Sequence, residues 1–503
     1  MSKDNFDNGS VSAKTISSSS TESSKERKQR NRKKSKVERT RYSTQCKILL
    51  MVLALISFLL LIIILLIGYL WFPKYLDTKI VKTKEKIRTK YINTTVCRFY
   101  FFNITNPEQV RNGYQVKLEE IGPYVYNVEV EIKGNYKSEV NKFDAVASSP
   151  LTEDDKIFPI NIIFLHSIYS LLNQTELNTM ILQNKIYEKA FNKNANIFLT
   201  TTIKEFFHHG INYCVPSTDP NDVFYTDFCK RVAEIWGLMN YGSEKKRFSI
   251  PYFHFHMKRI VDVIEYYEAT EIWRRNEYKC NEIRGIIGGN FPKRLKAKIY
   301  EWYIWFLCRQ MKFAYNAIEY RGNVRAYRFV ALANSFHGSI SENRCYCIPG
   351  NATGNFLNSL GCYPDGAIDV TNCVHKTMIM SFPHFLHANE IYHGWVNGLN
   401  PDPRIHESFA IVEPTSGILL HSRLSFQQNV PLRSISCVNT LQHVSKAVIP
   451  LLWYETEYKL PDSALKELDN EICHKVNAIK YMKLVFGILS LSAFIILLAL
   501  AIS

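Results

Sequence analysis

ILLMVLALISFLLLIIILLIGYLWF, residues 48–72, is an unbroken apolar run, and a second, Leu484–Ser503, lies at the other end of the chain. At about 1.5 Å per helical residue, either run is long enough to cross a hydrocarbon core of about 30 Å, and neither holds a charge. Both read as transmembrane helices. A cleaved signal peptide has a short apolar region and a small-residue cleavage site, whereas the first run ends in Trp71, Phe72 and Pro73, so it reads as a signal anchor. Two spans make residues 73–483 a single loop on one side of the membrane, with both termini on the other.

The segment 1–47 carries thirteen Lys or Arg against five acidic residues, half of the chain's net charge of +16, and the positive-inside bias places it in the cytosol. The far flank, from Lys74 to Lys90, is also basic, although long loops cross largely regardless of charge. Eleven of the twelve cysteines lie between the spans, with four glycosylation sequons at Asn93, Asn103, Asn173 and Asn351. These features make the middle an extracellular or lumenal domain of a plasma-membrane or lysosomal/endosomal protein.

Residues 1–47 are Ser-rich and then Lys/Arg-rich, with too few large apolar side chains to fold, and read as a disordered tail. The basic cluster Lys25–Arg41 matches a nuclear signal or nucleic-acid arm in composition, but beside a span it reads as holding anionic lipid, and no nucleic-acid partner is expected. Cys46, at the mouth of the first span, is a palmitoylation candidate or an idle thiol. Past Gly122-Pro123, Tyr124, Tyr126, Val128, Val130 and Ile132 alternate with polar residues, as in a strand with one buried face. Further strand runs appear around Phe253–Tyr267, Arg325–Leu332, Phe409–Ile411 and Leu420–Val430. Helical spacing is confined to Asn161–Lys193, broken near Asn173, to Ile203–His209, and to Leu465–Ile479 leading into the second span. This mixture fits one large β-rich α+β domain, although length alone allows two.

Cys280, Cys308, Cys345, Cys347, Cys362 and Cys373 crowd the second half of the loop. A Cys-x-Cys with two further cysteines is able to chelate zinc, but the secretory context favours disulfides, in any of fifteen pairings.

Phe101-Phe-Asn-Ile-Thr-Asn-Pro107, Gly122-Pro-Tyr-Val-Tyr126, Tyr327-Arg-Phe329, Cys345-Tyr-Cys347, Pro383-His-Phe385, Gly398-Leu-Asn-Pro401, Glu413-Pro-Thr-Ser-Gly417 and Val448-Ile-Pro-Leu-Leu-Trp453 stand in the order found in class B scavenger receptors. That family includes the fatty-acid translocase, the lipoprotein receptor and the lysosomal integral membrane protein. The resemblance covers the whole ectodomain and the two-span layout. It implies bridges Cys280–Cys345, Cys308–Cys373 and Cys347–Cys362, an antiparallel β-barrel-like core, a helical cap at 161–209, and an internal apolar tunnel towards the bilayer. It further implies a protein that binds lipids, lipoproteins or anionic particles and passes fatty acid, sterol or sterol ester through the tunnel without a cofactor. The stretch Ile211–Tyr278, with Cys214 and Cys229, departs from the family pattern and leaves the cargo open.

Lys193 resembles the family lysine near the tunnel entrance, where an ammonium holds a fatty-acid carboxylate; a solvated surface lysine is the alternative. His254 and His256 share a strand face at a spacing zinc tolerates, but without a third ligand they read as structural, and no metal site is expected. His208 and His209 are pH-sensor candidates in the cap or exposed bystanders. The clusters Lys245–Arg247, Lys258-Arg259, Arg274-Arg275 and Lys293-Arg294 fit a basic, anion-attracting surface.

The chain has no nucleophile elbow, metalloprotease helix or phosphate-cradling glycine loop, and an enzyme is not expected. Two other classes compete with lipid transfer. One is a binding-only receptor for adhesion, uptake or escort of a lumenal or extracellular protein, which shares every feature above. The other is a two-span channel, which the near absence of polar residues in either span disfavours. Monomer and homo-oligomer fit equally.

Overall fold

The computed structural model describes residues 17–91, 95–133, 136–172, 186–191, 195–209, 265–269, 273, 278–286, 288–347, 356–358, 361–374 and 377–502. The chain divides into two compact units, Met1–Val81 with Asn470–Ser503, and Lys82–Asp469.

The first unit is helical. Helix α1 (Ser17–Leu66) passes through a π turn at Ile67–Trp71 into α2 (Phe72–Lys90). At the other end α5 (Asp462–Leu468), which belongs to the second unit, continues through a second π turn, Asp469–Cys473, into α6 (His474–Ile502) of the first. Thr44–Leu66 and Asp462–Ile502 are long and apolar enough to cross a membrane. Small residues mediate the contact between α1 and α6: Ala54 and Ser57 are buried, and Ser490 Oγ donates to the Ser57 carbonyl at 2.6 Å. The Phe58 and Phe494 rings meet at a tilt nearby, centroids 5.3 Å apart, while large aliphatics such as Leu55 and Leu489 face outward. In lipid, close approach through small side chains replaces hydrophobic burial as the basis of helix pairing. Helical backbone extends back to Ser17, into the segment whose composition forms no core; it contains neither Gly nor Pro and is rich in straight-chain Lys, Arg, Glu and Gln, which lose little rotamer freedom in a helix.

The second unit is built on a twelve-stranded sheet. Its strands are β1 (Thr95–Ile104), β2 (Val116–Lys133), β3 (Tyr136–Phe143), β4 (Ile299–Ile304), β5 (Arg309–Arg321), β6 (Val324–Ala331), β7 (Ala367–Asp369), β8 (Ile379–Ser381), β9 (Val396–Asn397), β10 (Phe409–Glu413), β11 (Ile418–Leu432) and β12 (Ala447–Lys459). The path runs β9-β2-β1-β12-β11-β10-β6-β5-β4, with β3 beside β2 and the β7–β8 pair beside β11. Every pairing is antiparallel except β9 with β2. Among the described residues the two ends of the path, β9 and β4, do not pair with each other.

The hairpins follow from local chemistry. β5 and β6 join through Gly322-Asn323 alone, since Arg321 faces Val324, and Gly322 sits at φ +56°, the left-handed region a two-residue hairpin requires. Between β10 and β11, the buried Glu413 carboxylate accepts from the Thr415 and Ser416 amides at 2.8 and 2.6 Å, and Gly417 (φ +69°) lies so close to Phe291 O that a Cβ would stand 2.4 Å away.

Aromatic and branched side chains from β1, β2, β5, β6, β11 and β12 form the core with α3 (Ile162–Leu171). Every residue of α3 except Ser170 is buried, as expected of a helix apolar on all sides. Two of its side chains hold it in place: Tyr169 OH donates to Pro431 O of β11 at 2.7 Å, and the Thr377 amide donates to His166 Nδ1 at 2.8 Å. A short α4 (Ile186–Phe191) sends Phe191 edge-on against Phe164 at 5.4 Å.

Candidate functional site

The crowded cysteines form three bonds in the structure: Cys280–Cys345, Cys308–Cys373 and Cys347–Cys362. A disulfide of this kind typically contributes about 2–5 kcal/mol. Side chains around them are equally fixed. Trp273 Nε1 donates to Cys308 O at 2.7 Å, and the buried Arg309 guanidinium stacks 3.9 Å over Tyr346. Gly338 is packed against the third bond, where a Cβ would lie 2.8 Å from Cys362 Cβ and 3.1 Å from Cys347 Sγ. Cys46, Cys97, Cys437 and Cys473 are unbridged. Among the described residues no three His, Cys, Asp or Glu side chains come together to hold a metal.

Four of the sequence motifs meet at one buried polar cluster. His384, from Pro383-His-Phe385, donates through Nε2 to Glu120 Oε2 at 2.6 Å, and its Nδ1 accepts from the Asn400 amide at 3.0 Å. Trp453 Nε1, on β12, donates to the same Glu120 oxygen at 3.0 Å. The Trp453 ring lies flat on Tyr100 of β1, centroids 3.9 Å apart, while Phe102, in the motif that opens at Phe101, meets the His384 ring edge-on. His406 stacks on His384 at 4.5 Å, with its Nδ1 accepting from the Asp402 amide at 2.9 Å. Gly398 (φ +100°) lets this loop approach β2: a Cβ there would stand 2.2 Å from Leu118 O. Beneath it, the His384 amide donates to Gln427 Oε1 at 2.7 Å, and buried Gln427, Asn429 and Ser381 bond one another.

Burial raises the Glu120 carboxyl, but the bonds from His384 and Trp453 outweigh it and leave the group below its ordinary range. Burial, and then the neighbouring His384, push His406 down to about 4. These bonds brace the 383–406 loop against β2 and β12.

Glu120 and His406 were not singled out in the sequence. Glu120 reads as an ordinary polar strand position, and only the Asp402-Pro403 start of a capped turn, in which Asp402 Oδ1 accepts from Arg404 N, marks the segment carrying His406.

A second polar layer crosses the sheet from β1 to β5. Arg98 donates to Glu455 and Glu457, both at 2.7 Å; His421 bonds Glu457 at 2.7 Å; Arg328 pairs with Glu319 at 3.1 Å. In the expected cap, His208 lies 2.8 Å from Glu153, which also accepts from Tyr126 OH at 2.9 Å, beside a cluster of Phe99, Phe101, Phe206 and Phe207.

Asn103 is buried, and its Oδ1 accepts from the Phe158 amide at 2.8 Å. Lys193, His254, His256, Asn93, Asn173 and Asn351 lie outside the described residues, as does nearly all of 211–278. Cys46 is exposed on α1.

A model of the CD36 family matches residues 52–501. Among curated relatives, sensory neuron membrane protein 2 of Anopheles gambiae is 23% identical, with 81% of this chain and 85% of that protein covered. Sensory neuron membrane protein 2 of Heliothis virescens is 25% identical over 79% of this chain and 81% of its own length. Sensory neuron membrane protein 1 of Manduca sexta is 24% identical over 84% and 86%. With the match running from inside one apolar helix to inside the other and spanning the sheet and its braced loop, the chain belongs to the CD36 family, the class B scavenger receptors, as a membrane protein with two candidate spans.

Proposed function

We propose that this protein is a two-span lipid receptor that binds lipids, lipoproteins or anionic particles with its ectodomain and transfers fatty acid, sterol or sterol ester through an internal tunnel. The observation that carries this reading is the family match over 52–501, which includes both candidate spans and the sheet between them. Both termini are cytosolic in this reading, and Cys46 is available for acylation. Lys193 holds the carboxylate of an incoming fatty acid. No cofactor takes part, because moving a lipid down its gradient breaks no bond.

Native mass spectrometry of the detergent-purified full chain tests it. A co-purifying acyl lipid or sterol that exchanges with added lipid supports transfer. A lipid-free protein that still binds particles supports the docking receptor instead.

A further inference from the structure

The three disulfides converge on one arginine. Cys308, bonded to Cys373, immediately precedes Arg309 at the start of β5. Tyr346, between Cys345 and Cys347, carries the Arg309 guanidinium on its ring. The Cys347–Cys362 bond forms part of the wall of a small cavity that Arg309 also lines.

Arg309 is only 3% exposed, and its charge is poorly matched. A guanidinium has five N–H donors. Here Nη2 donates to Asn343 Oδ1 at 3.0 Å and Nε donates to Gln310 O at 3.3 Å. Among the described residues Nη1 meets no acceptor, and no carboxylate pairs with the group. Burial is the largest influence on the guanidinium and pulls its pKa down, opposed by Tyr346 alone. Arginine stays charged in proteins all the same. A buried cation is thus met by one ring face and two neutral carbonyl oxygens, where burying a charge without a counter-charge is costly.

The cation is also held in place. Asn343 Nδ2 donates to Asn334 O at 3.1 Å and to His337 O at 3.0 Å, which fixes its amide with Oδ1 towards Arg309. Tyr346 OH donates to Gln310 Oε1 at 2.9 Å and so fixes the ring beneath. These bonds keep Arg309 from swinging to a carboxylate elsewhere.

The size of the cavity selects what supplies the missing charge. About 10 Å³ of it is open to the centre of a water-sized particle, room for a single one. Carboxylates, phosphate, sulfate and lipid headgroups are too large. A water fits but brings no charge, whereas a halide ion is only slightly larger and brings one. Asp369 lines the cavity as well, yet it makes no pair with Arg309: its Oδ1 accepts from the Thr371 amide at 2.8 Å, and burial raises its pKa, which favours the neutral acid.

We infer that Arg309, in the cavity beside the Cys347–Cys362 bond, binds a single chloride ion. The ion offsets the guanidinium charge and ties β5 to the disulfide-bonded segment around Tyr346, so the fold gains stability with chloride concentration by mass action. The site does not depend on lipid transfer, since a binding-only receptor would keep it.

The test uses the full-length protein in detergent. At equal ionic strength its thermal midpoint should rise as sodium chloride or sodium bromide replaces sodium gluconate, and Arg309→Gln should remove that dependence. Crystals of the unmodified protein grown in bromide decide the matter however the variant folds: the anomalous map should show one bromide against Arg309 in this cavity. A water there, without anomalous signal at saturating bromide, would overturn the inference. So would a midpoint identical in chloride and gluconate, or a halide dependence retained in folded Arg309→Gln protein, which would place the ion elsewhere. None of these outcomes bears on the lipid-exchange measurement, which reads a different part of the molecule.

Discussion

His384 Nε2 lies 2.6 Å from Glu120 Oε2, across 264 residues of sequence, and Trp453 Nε1 donates to the same oxygen at 3.0 Å. Hydrogen bonds to a charged acceptor are worth about 1.5–3 kcal/mol, and more is lost when the partner stays buried. Trp453→Phe keeps an aromatic ring on Tyr100 but deletes the donor. The thermal midpoint of the solubilised protein should fall by an amount equivalent to about 1.5–3 kcal/mol. A midpoint unchanged by this substitution would show that His384 alone satisfies the carboxylate.

Acid should weaken the sheet in two stages. Burial and the neighbouring His384 hold His406 at about 4, whereas the unfolded imidazole titrates near about 6.5. Its folded value is depressed, so stability is complete above about 6.5 and declines as pH falls towards 4, the unfolded chain taking up a proton the native one refuses. Glu457 is depressed to about 2, mainly by its bond from His421 and then, against burial, by Arg98; its contribution is complete above about 4.3 and is lost below that. His406→Asn retains an acceptor for the Asp402 amide without the titration. It should flatten the fall in thermal midpoint between pH 6.5 and 4 and leave the steeper loss below pH 4; an identical profile in the variant would assign the first stage elsewhere.

Much of the sheet is written locally, and the brace is not. The alternation from Tyr124 to Ile132 marks β2, yet Val125, on the face read as outward, is also buried at 3%. The reason is non-local: the Val125 amide donates to Ser148 Oγ of the turn at 145–148, which covers that face. Pro383-His-Phe385 and the motif ending at Trp453 were visible as signatures, but spacing cannot tell that both converge on Glu120. His384 and Phe385 both adopt left-handed φ, 52° and 54°, a strained backbone for non-glycine residues that only the surrounding bonds explain. Cysteine arithmetic left fifteen pairings open, and resemblance alone chose among them.

Gly338 offers a test of the third bridge that leaves its cysteines in place. An added methyl would press on both sulfurs of Cys347–Cys362, and overpacking of this kind costs about 1–3 kcal/mol. Gly338→Ala should lower the thermal midpoint and raise alkylation of Cys347 and Cys362 in non-reducing peptide maps. Full stability with no added thiol would mean the loop shifts to admit the methyl.

Sugar occupancy reports topology and burial together. If 73–483 is extracellular or lumenal, glycan mapping should find Asn93, Asn173 and Asn351 modified, with Asn103 the least occupied because its side chain is buried and engaged by Phe158. An epitope tag before residue 17 should resist protease added outside intact cells. Digestion of that tag, or glycan on Asn8, whose Asn-Gly-Ser sequon lies in the tail read as cytosolic, would refute the orientation.

Transport separates charge recognition from passage. If Lys193 orients a carboxylate, Lys193→Ala should weaken fatty-acid binding by about 1.5–3 kcal/mol, and Lys193→Arg by less, since the cation is retained. Sterol esters carry no carboxylate, so their transfer into cells expressing either variant should hardly change. Equal loss of both cargoes in a correctly glycosylated Lys193→Ala would point to a steric role. Normal transfer of both, with fatty-acid affinity unchanged, would leave Lys193 a solvated lysine and move the search for the carboxylate's partner to the basic clusters at 245–275.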